Sequence, residues 1–173
     1  AGLSFQRFFS NAHYSPKCTG LAASPIYKKV EKMTAKEQYA IGELYRASLY
    51  KHEFIACRND RPKNTYEIDL DKKNWDKIIP MKVANIQANY KDLPENMVAT
   101  ISLDSPRHLF SEIKVSLEKA QALIFNAIDG TKTLNEILKD INIQASDELK
   151  EKYIKNFVNS LYEFDYVSFK VGA

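Results

Sequence analysis

Residues 116–171 constrain the fold most, because they predict three helices and a strand in a fixed order. Apolar residues at helical spacing occupy the stretch that ends at Asp129–Gly130, where glycine can terminate a helix. The motif Thr133-x-x-Glu136 predicts a capping box at the start of a second helix. Ser146 predicts the cap of a third helix, and the alternating stretch Tyr166–Val171 predicts a terminal strand.

The order helix, helix, helix, strand is typical of winged-helix-like modules. Such modules mostly bind or pack against other molecules rather than perform chemistry. We therefore expect residues 106–173 to form a winged-helix-like helical module. The stretch between Ser105 and Ser116 fits a helix turn and a strand about equally well, so both assignments stay open from the sequence alone.

Residues 1–65 predict a mainly helical N-terminal segment. Ser24-Pro25 is typical of a helix start, and Thr34-x-x-Glu37 predicts a capping box on a longer helix that runs to about His52. The apolar run Phe54–Cys57 predicts a short buried strand. The first apolar residues fit one face of a short helix: Leu3, Phe5, Phe8 and Phe9.

The middle of the chain, residues 66–105, has a different pattern. Apolar and polar residues alternate in Tyr66–Leu70 and again in Val98–Leu103, and Asp92–Asn96 supplies residues that favour turns. We expect a small sheet that connects the helical parts. The predicted fold is α+β and mainly helical, with a helical N-terminal half, a small β-sheet in the middle and a winged-helix-like C-terminal module.

The composition indicates a folded globular protein. Hydrophobic residues make up 45% of the 173 residues and charged residues 27%, a balance that disfavours disorder. The net charge of +3 is too small to predict nucleic-acid binding without a clustered basic patch. No run approaches the roughly 18 apolar residues of a membrane helix. We therefore expect a soluble, cytoplasmic protein that binds neither nucleic acid nor membrane.

No catalytic, cofactor-binding or metal-binding residue is predicted. The five glycines are isolated, so the chain has no glycine-rich loop of the kind that holds nucleotide-like cofactors. It also has no GxSxG nucleophile motif. Cys18 and Cys57 lie far apart and the three histidines are scattered, which predicts two free thiols and no zinc site. Cys57, in an apolar run, is interpreted as a core residue.

Two polar breaks beside predicted helices form the candidate interaction surface. One is the loop that contains Arg107 and His108, whose side chains could contact an anion, although an exposed loop without a ligand is the more frequent outcome. The other is the turn that contains Asp129 and Thr131. These four residues are the predicted contacts with a partner.

Several stretches resemble the methyltransferase regulatory domain. Glu37-Gln38-Tyr39, followed by Glu43–Leu49, is similar to the pattern EQY followed by FRxxLL at the start of that domain. Gly2–Phe5 is similar to the GLxY-type junction that follows a catalytic domain, and 116–137 resembles the final helical module. The likeness spans about residues 2 to 170. It is weak over 65–103.

The resemblance implies a non-catalytic regulatory or substrate-recognition region, C-terminal to a class I S-adenosylmethionine-dependent methyltransferase domain. Some members of that wider group methylate protein lysines. The implied partners are the catalytic domain of the same polypeptide and, as a further candidate, a protein substrate. The resemblance transfers no catalytic residue and no cofactor to this chain. Two alternatives stay open: a winged-helix nucleic-acid-binding module, and a free-standing enzyme that binds S-adenosylmethionine itself.

Overall fold

The computed structural model describes residues 2–47, 52–62, 68–103 and 114–171. The chain divides into two compact units, which we call unit 1 (residues 1–68) and unit 2 (residues 69–173). Within the described residues, the protein is a small α+β protein with five α-helices and three small antiparallel sheets.

Unit 1 contains a two-stranded antiparallel sheet. Strand β1, Leu3–Phe8, pairs with strand β2, Phe54–Arg58. The register shifts between Phe5 and Arg7, so Gln6 is an extra residue on β1. Such a bulge reverses the alternation of side chains along the strand. As a result, Phe5 and Phe8 lie on the same face although they are three residues apart.

Short 3₁₀ turns and two α-helices make up most of the remaining described residues of unit 1. The turns are Asn11–His13, Pro16–Cys18 and Gly20–Ala23, and helix α1 is Tyr27–Val30. Helix α2, Ala35–Arg46, begins with the predicted capping box of Thr34 and Glu37. It ends earlier than predicted, because Ala47 adopts the left-handed conformation with φ at 49°. Gly42 of α2 is buried and approaches the backbone of Tyr14 closely.

The described residues of unit 2 contain the other three helices and five strands. A three-stranded antiparallel sheet has the order β4, β5, β6, and strand β3 pairs with strand β7 in a second sheet. In chain order, these elements are β3 (Ile78–Lys82), β4 (Ile86–Asn89), β5 (Ala99–Leu103), β6 (Lys114–Leu117), α3 (Lys119–Ala127), α4 (Leu134–Asp140), α5 (Asp147–Glu163) and β7 (Val167–Val171).

The core of unit 2 lies where the three helices pack against the strands. Tyr166 is completely buried, and its hydroxyl donates a hydrogen bond to the carbonyl oxygen of Ile101 at 3.0 Å. This bond satisfies the polar group that a buried tyrosine brings into an apolar interior. The other large, fully buried side chains of the unit are apolar: Trp75, Ile101, Leu117, Ile124, Ile128, Leu134, Ile137, Ile154 and Leu161.

The prediction of a helical N-terminal half is wrong. The expected short helix at Leu3–Phe9 is replaced by strand β1, whose backbone groups are satisfied by pairing with β2. Leu3 and Phe5 are separated by one residue, as a strand requires, and the bulge brings Phe8 onto their face. A helical and a strand pattern are therefore hard to tell apart in this short apolar stretch.

The predicted winged-helix-like module also needs correction. Its three helices and its terminal strand are present, but the strands that flank them pair outside the module. Strand β6 pairs with β5, and β7 pairs with β3, which lies before the predicted module. The terminal segment is therefore one part of unit 2 and not a self-contained winged helix.

None of the described helices has both the length and the hydropathy that a membrane-spanning helix requires.

Candidate functional site

The turn between α3 and α4 contains two of the predicted interaction residues. Oδ1 of Asp129 accepts hydrogen bonds from the backbone N–H of Thr131 at 2.8 Å, the hydroxyl of Thr131 at 2.7 Å and the backbone N–H of Lys132 at 3.0 Å. Gly130 has a φ of 82°, in the region that favours glycine. The side chains of Asp129 and Thr131 thus hold each other in a compact turn, and their contact with a partner stays a prediction.

These hydrogen bonds lower the pKa of Asp129 to about 2 from an ordinary value of 3.8, with the backbone N–H of Lys132 as the largest cause. Because the folded-state pKa is depressed, the stability that Asp129 contributes is fully present above about pH 3.8 and is lost as the pH falls through about 2. We expect an NMR titration to find this low pKa. Thr131→Val should raise it, whereas Thr133→Val should instead raise the pKa of Glu136, which is lowered by Thr133. Titration of Asp129 near 3.8 would contradict this account.

Arg107 and His108, the other two predicted interaction residues, lie outside the described residues. Their role, including any shared surface with Asp129 and Thr131, stays a prediction.

The residues Glu37-Gln38-Tyr39, which carry the family resemblance, have structural contacts in this chain. Glu37 caps α2, and the side chain of Gln38 donates hydrogen bonds to two backbone carbonyl oxygens just before the helix. The hydroxyl of Tyr39 donates to Oδ1 of Asn11 at 2.8 Å. These contacts fix the start of α2 and connect it to the 3₁₀ turn Asn11–His13.

Unit 1 has an aromatic cluster that the sequence did not predict, and we call it the aromatic face: Phe5, Phe8, Tyr14, Tyr39 and Phe54. Phe8 stacks on Tyr14 with ring centroids 3.5 Å apart, and Phe8 meets Tyr39 edge-on at 5.3 Å. The ring centroid of Phe5 lies 6.1 Å from the ring centroids of both Tyr39 and Phe54. Despite these contacts, Phe5 is 45% exposed and Phe54 is 54% exposed. Leu3, two residues before Phe5 on the strand, is also exposed.

A polar chain of three side chains borders the aromatic face. The hydroxyl of Tyr14 lies 2.8 Å from Nδ1 of His52, and Nε2 of His52 lies 3.6 Å from Oε1 of Glu43. The second distance is too long for a hydrogen bond, so Glu43 attracts the imidazole only when His52 is protonated. Burial raises the pKa of Tyr14, and Glu43 and Glu53 raise it further. Tyr14 therefore stays protonated at neutral pH and serves as a positioned hydrogen-bonding group, not as a base.

Unit 2 has a groove between α3, α5 and β6, with a volume of about 300 Å³. We call it the α5 groove. Its apolar residues come from the C-terminal half of α5 and from β6, and its polar residues were not predicted as a site. The groove is lined by Val115, Gln121, Tyr153, Asn156, Phe157, Ser160, Leu161 and Phe164.

The described residues include two free thiols and no group of metal ligands. Within residues 2–47, 52–62, 68–103 and 114–171, no cluster of three or more His, Cys, Asp or Glu side chains could hold a metal ion. Cys18 and Cys57 are free thiols, as predicted; Cys18 is buried and Cys57 is half-buried. No protein-family model matches the chain. The resemblance to the methyltransferase regulatory domain therefore stays a prediction.

Proposed function

We propose that this chain is a non-catalytic binding module that docks on a partner protein through the aromatic face of unit 1. The observation that supports this proposal most is the exposure of Phe5 and Phe54 within a cluster of aromatic rings. Fully burying an exposed Phe side chain contributes about 1.5–3 kcal/mol, so covering the exposed half of Phe5 or Phe54 contributes roughly half of that. Covering several of them offers enough free energy to offset part of the cost of association.

The sheet beneath the aromatic face supports the same proposal. Among the described residues, β1 and β2 form a sheet of only two strands, so each strand has one edge without a described partner strand. A sheet of two strands is marginally stable by itself, and exposed edges favour pairing with another chain. A partner that covers the aromatic face would also shield these edges.

The charge of unit 1 indicates the kind of partner surface. Unit 1 contains eleven Lys and Arg residues against six Asp and Glu residues. An acidic partner surface would be attracted to it, and the attraction would weaken with salt. Following the family resemblance, we propose as partner the catalytic domain of an S-adenosylmethionine-dependent methyltransferase in the same polypeptide. A protein substrate is the further candidate. Coupling between module and enzyme requires that the module bind one state of the enzyme more tightly than another.

The test is a calorimetric titration of this chain with the methyltransferase catalytic domain from the same reading frame. We expect saturable binding that Phe54→Ser weakens at least tenfold, because the variant removes the most exposed ring of the aromatic face. Tyr90→Ser is the matched control, since Tyr90 is 68% exposed but belongs to unit 2. Binding that Phe54→Ser leaves unchanged would refute the docking surface, and a reading frame without a methyltransferase domain would refute the partner.

A second titration addresses catalysis. The proposal requires that this chain alone does not bind S-adenosylmethionine. Tight binding of that molecule, or methyl transfer without another domain, would refute a non-catalytic role.

The winged-helix nucleic-acid-binding alternative is not proposed, because strands β6 and β7 pair with strands that lie outside the predicted module.

A further inference from the structure

The α5 groove has the dimensions of a site for a small molecule. Its volume of about 300 Å³ is at the lower end of the range of roughly 300–1,000 Å³ that ligand pockets occupy. Its apolar side chains belong to two elements: Val115 lies on β6, Phe157 and Leu161 lie on α5, and Phe164 is the C-terminal cap of α5. Phe157 and Leu161 are buried. This apolar part is suited to an aromatic ring.

Three polar side chains of the groove, those of Gln121, Tyr153 and Asn156, retain hydrogen-bonding capacity. Oε1 of Gln121 accepts from the backbone N–H of Glu118 at 3.0 Å, which leaves the amide N–H groups of Gln121 as donors. The side chains of Tyr153 and Asn156 have no hydrogen-bond partner among the described residues. The carboxamide of Asn156 offers a donor and an acceptor side by side, which matches the two groups of an amide on a ligand.

The groove contains no ionised side chain among its lining residues. Burying a charged group without an opposite charge is costly, so the lining favours an uncharged ligand. Desolvation raises the pKa of Tyr153, and the carboxylate of Glu118 raises it further, so a negative charge lies near the groove. An anionic ligand is therefore disfavoured twice, by desolvation and by repulsion.

We propose that the α5 groove binds a small uncharged molecule that carries an aromatic ring and an amide. The ring packs against Phe157 and Phe164, and the amide exchanges hydrogen bonds with Asn156. The proposal is independent of docking by unit 1, because the two sites belong to different units.

The experiment is an NMR titration of the full chain, labelled with ¹⁵N, with three probes of similar size: benzamide, benzoate and benzylamine. We expect benzamide to shift the side-chain N–H₂ signals of Asn156 and the backbone signals of α5 until saturation. A Kd on the order of 1 mM is typical of a ligand with so few atoms. Benzoate and the protonated benzylamine should bind at least tenfold more weakly. Equal binding of the three probes, or no saturable shifts with benzamide, would overturn the proposal.

A matched pair of variants tests the role of Asn156. Asn156→Leu keeps the size of an exposed side chain but removes its amide, and we expect it to weaken benzamide at least tenfold. Asn126→Leu is the control, because Asn126 is exposed on α3 and is not one of the lining residues. Circular dichroism checks that both variants fold. Unchanged benzamide affinity in Asn156→Leu, or equal weakening in Asn126→Leu, would refute the assignment.

Discussion

Gly42→Ala should destabilise unit 1 by about 3 kcal/mol or more, although alanine ordinarily stabilises a helix by about 1 kcal/mol relative to glycine. A Cβ atom at Gly42 would lie 1.9 Å from the carbonyl oxygen of Tyr14 and 2.8 Å from its carbonyl carbon. Both atoms belong to the backbone, so neither can move aside as a flexible side chain would. Helix α2 must instead shift away from the segment that carries Tyr14.

The measurements for Gly42→Ala are urea unfolding followed by circular dichroism, and hydrogen exchange of the α2 amides. We expect faster exchange throughout α2. Ala47→Gly is the control of opposite sign: Ala47 has a φ of 49°, so glycine should stabilise the helix end by about 0.5–1 kcal/mol. A stability of Gly42→Ala equal to or above that of the unchanged chain would show that this close approach does not form.

The same variant connects stability to the proposed function. Tyr14 stacks on Phe8, and Tyr39 of α2 packs edge-on against Phe8. A shift of α2 away from Tyr14 would therefore open the aromatic face. We expect Gly42→Ala to weaken partner binding even under conditions in which the chain is still folded.

Trp75→Ala should lower the free energy of unfolding of unit 2 by about 3–5 kcal/mol, the range for removing a large aromatic side chain from a core. Trp75 is 1% exposed, and its indole N–H donates to the carbonyl oxygen of Leu70 at 3.0 Å. Nζ of Lys72 lies 4.5 Å from the centroid of the indole ring. The substitution therefore leaves a cavity and removes a hydrogen bond and a cation–π contact together.

Trp75→Phe separates these contributions. It preserves most of the packing but leaves the carbonyl of Leu70 without its indole donor, so we expect a smaller loss of about 1–2 kcal/mol. Trp75 is the only tryptophan of the chain, so unfolding must be followed by circular dichroism and not by tryptophan fluorescence. Tyr90→Ala, at an exposed position, should change stability by less than about 0.5 kcal/mol. A similarly small effect of Trp75→Ala would contradict the buried position of the indole.

The features that could be predicted from sequence are those that depend on a few neighbouring residues. The capping boxes at Thr34 and Thr133 form because each hydroxyl and the carboxylate three residues later satisfy nearby backbone N–H groups. The cap at Ser146 is local in the same sense. Helices α4 and α5 follow from these signals together with their apolar spacing. Helix α3 was predicted from its apolar spacing and from Gly130 at its end, but its cap at Glu118 was not predicted.

The features that could not be predicted depend on residues far apart in the chain. Leu3 and Phe5 carry a short apolar pattern, and only the pairing of β1 with β2 decides that it is a strand. The end of α2 at Arg46 is set by the backbone of Ala47, a residue without a turn preference of its own. The aromatic face combines β1, β2, α2 and the turn that holds Tyr14, so no local motif identifies it. For the α5 groove, the proposed role of Asn156 depends on its neighbours in space, which belong to β6, α3 and α5.

The pairing of β3 with β7 delays the folding of unit 2 while the ribosome synthesises the chain. Ile78 pairs with Val171 and Lys82 pairs with Val167, so β3 emerges from the exit tunnel long before its partner exists. Until then, its backbone N–H and C=O groups and its apolar side chains are exposed to other nascent chains. Unit 2 can therefore complete its sheets only after Val171 has been translated, and during this interval chaperones would have an unpaired strand to protect.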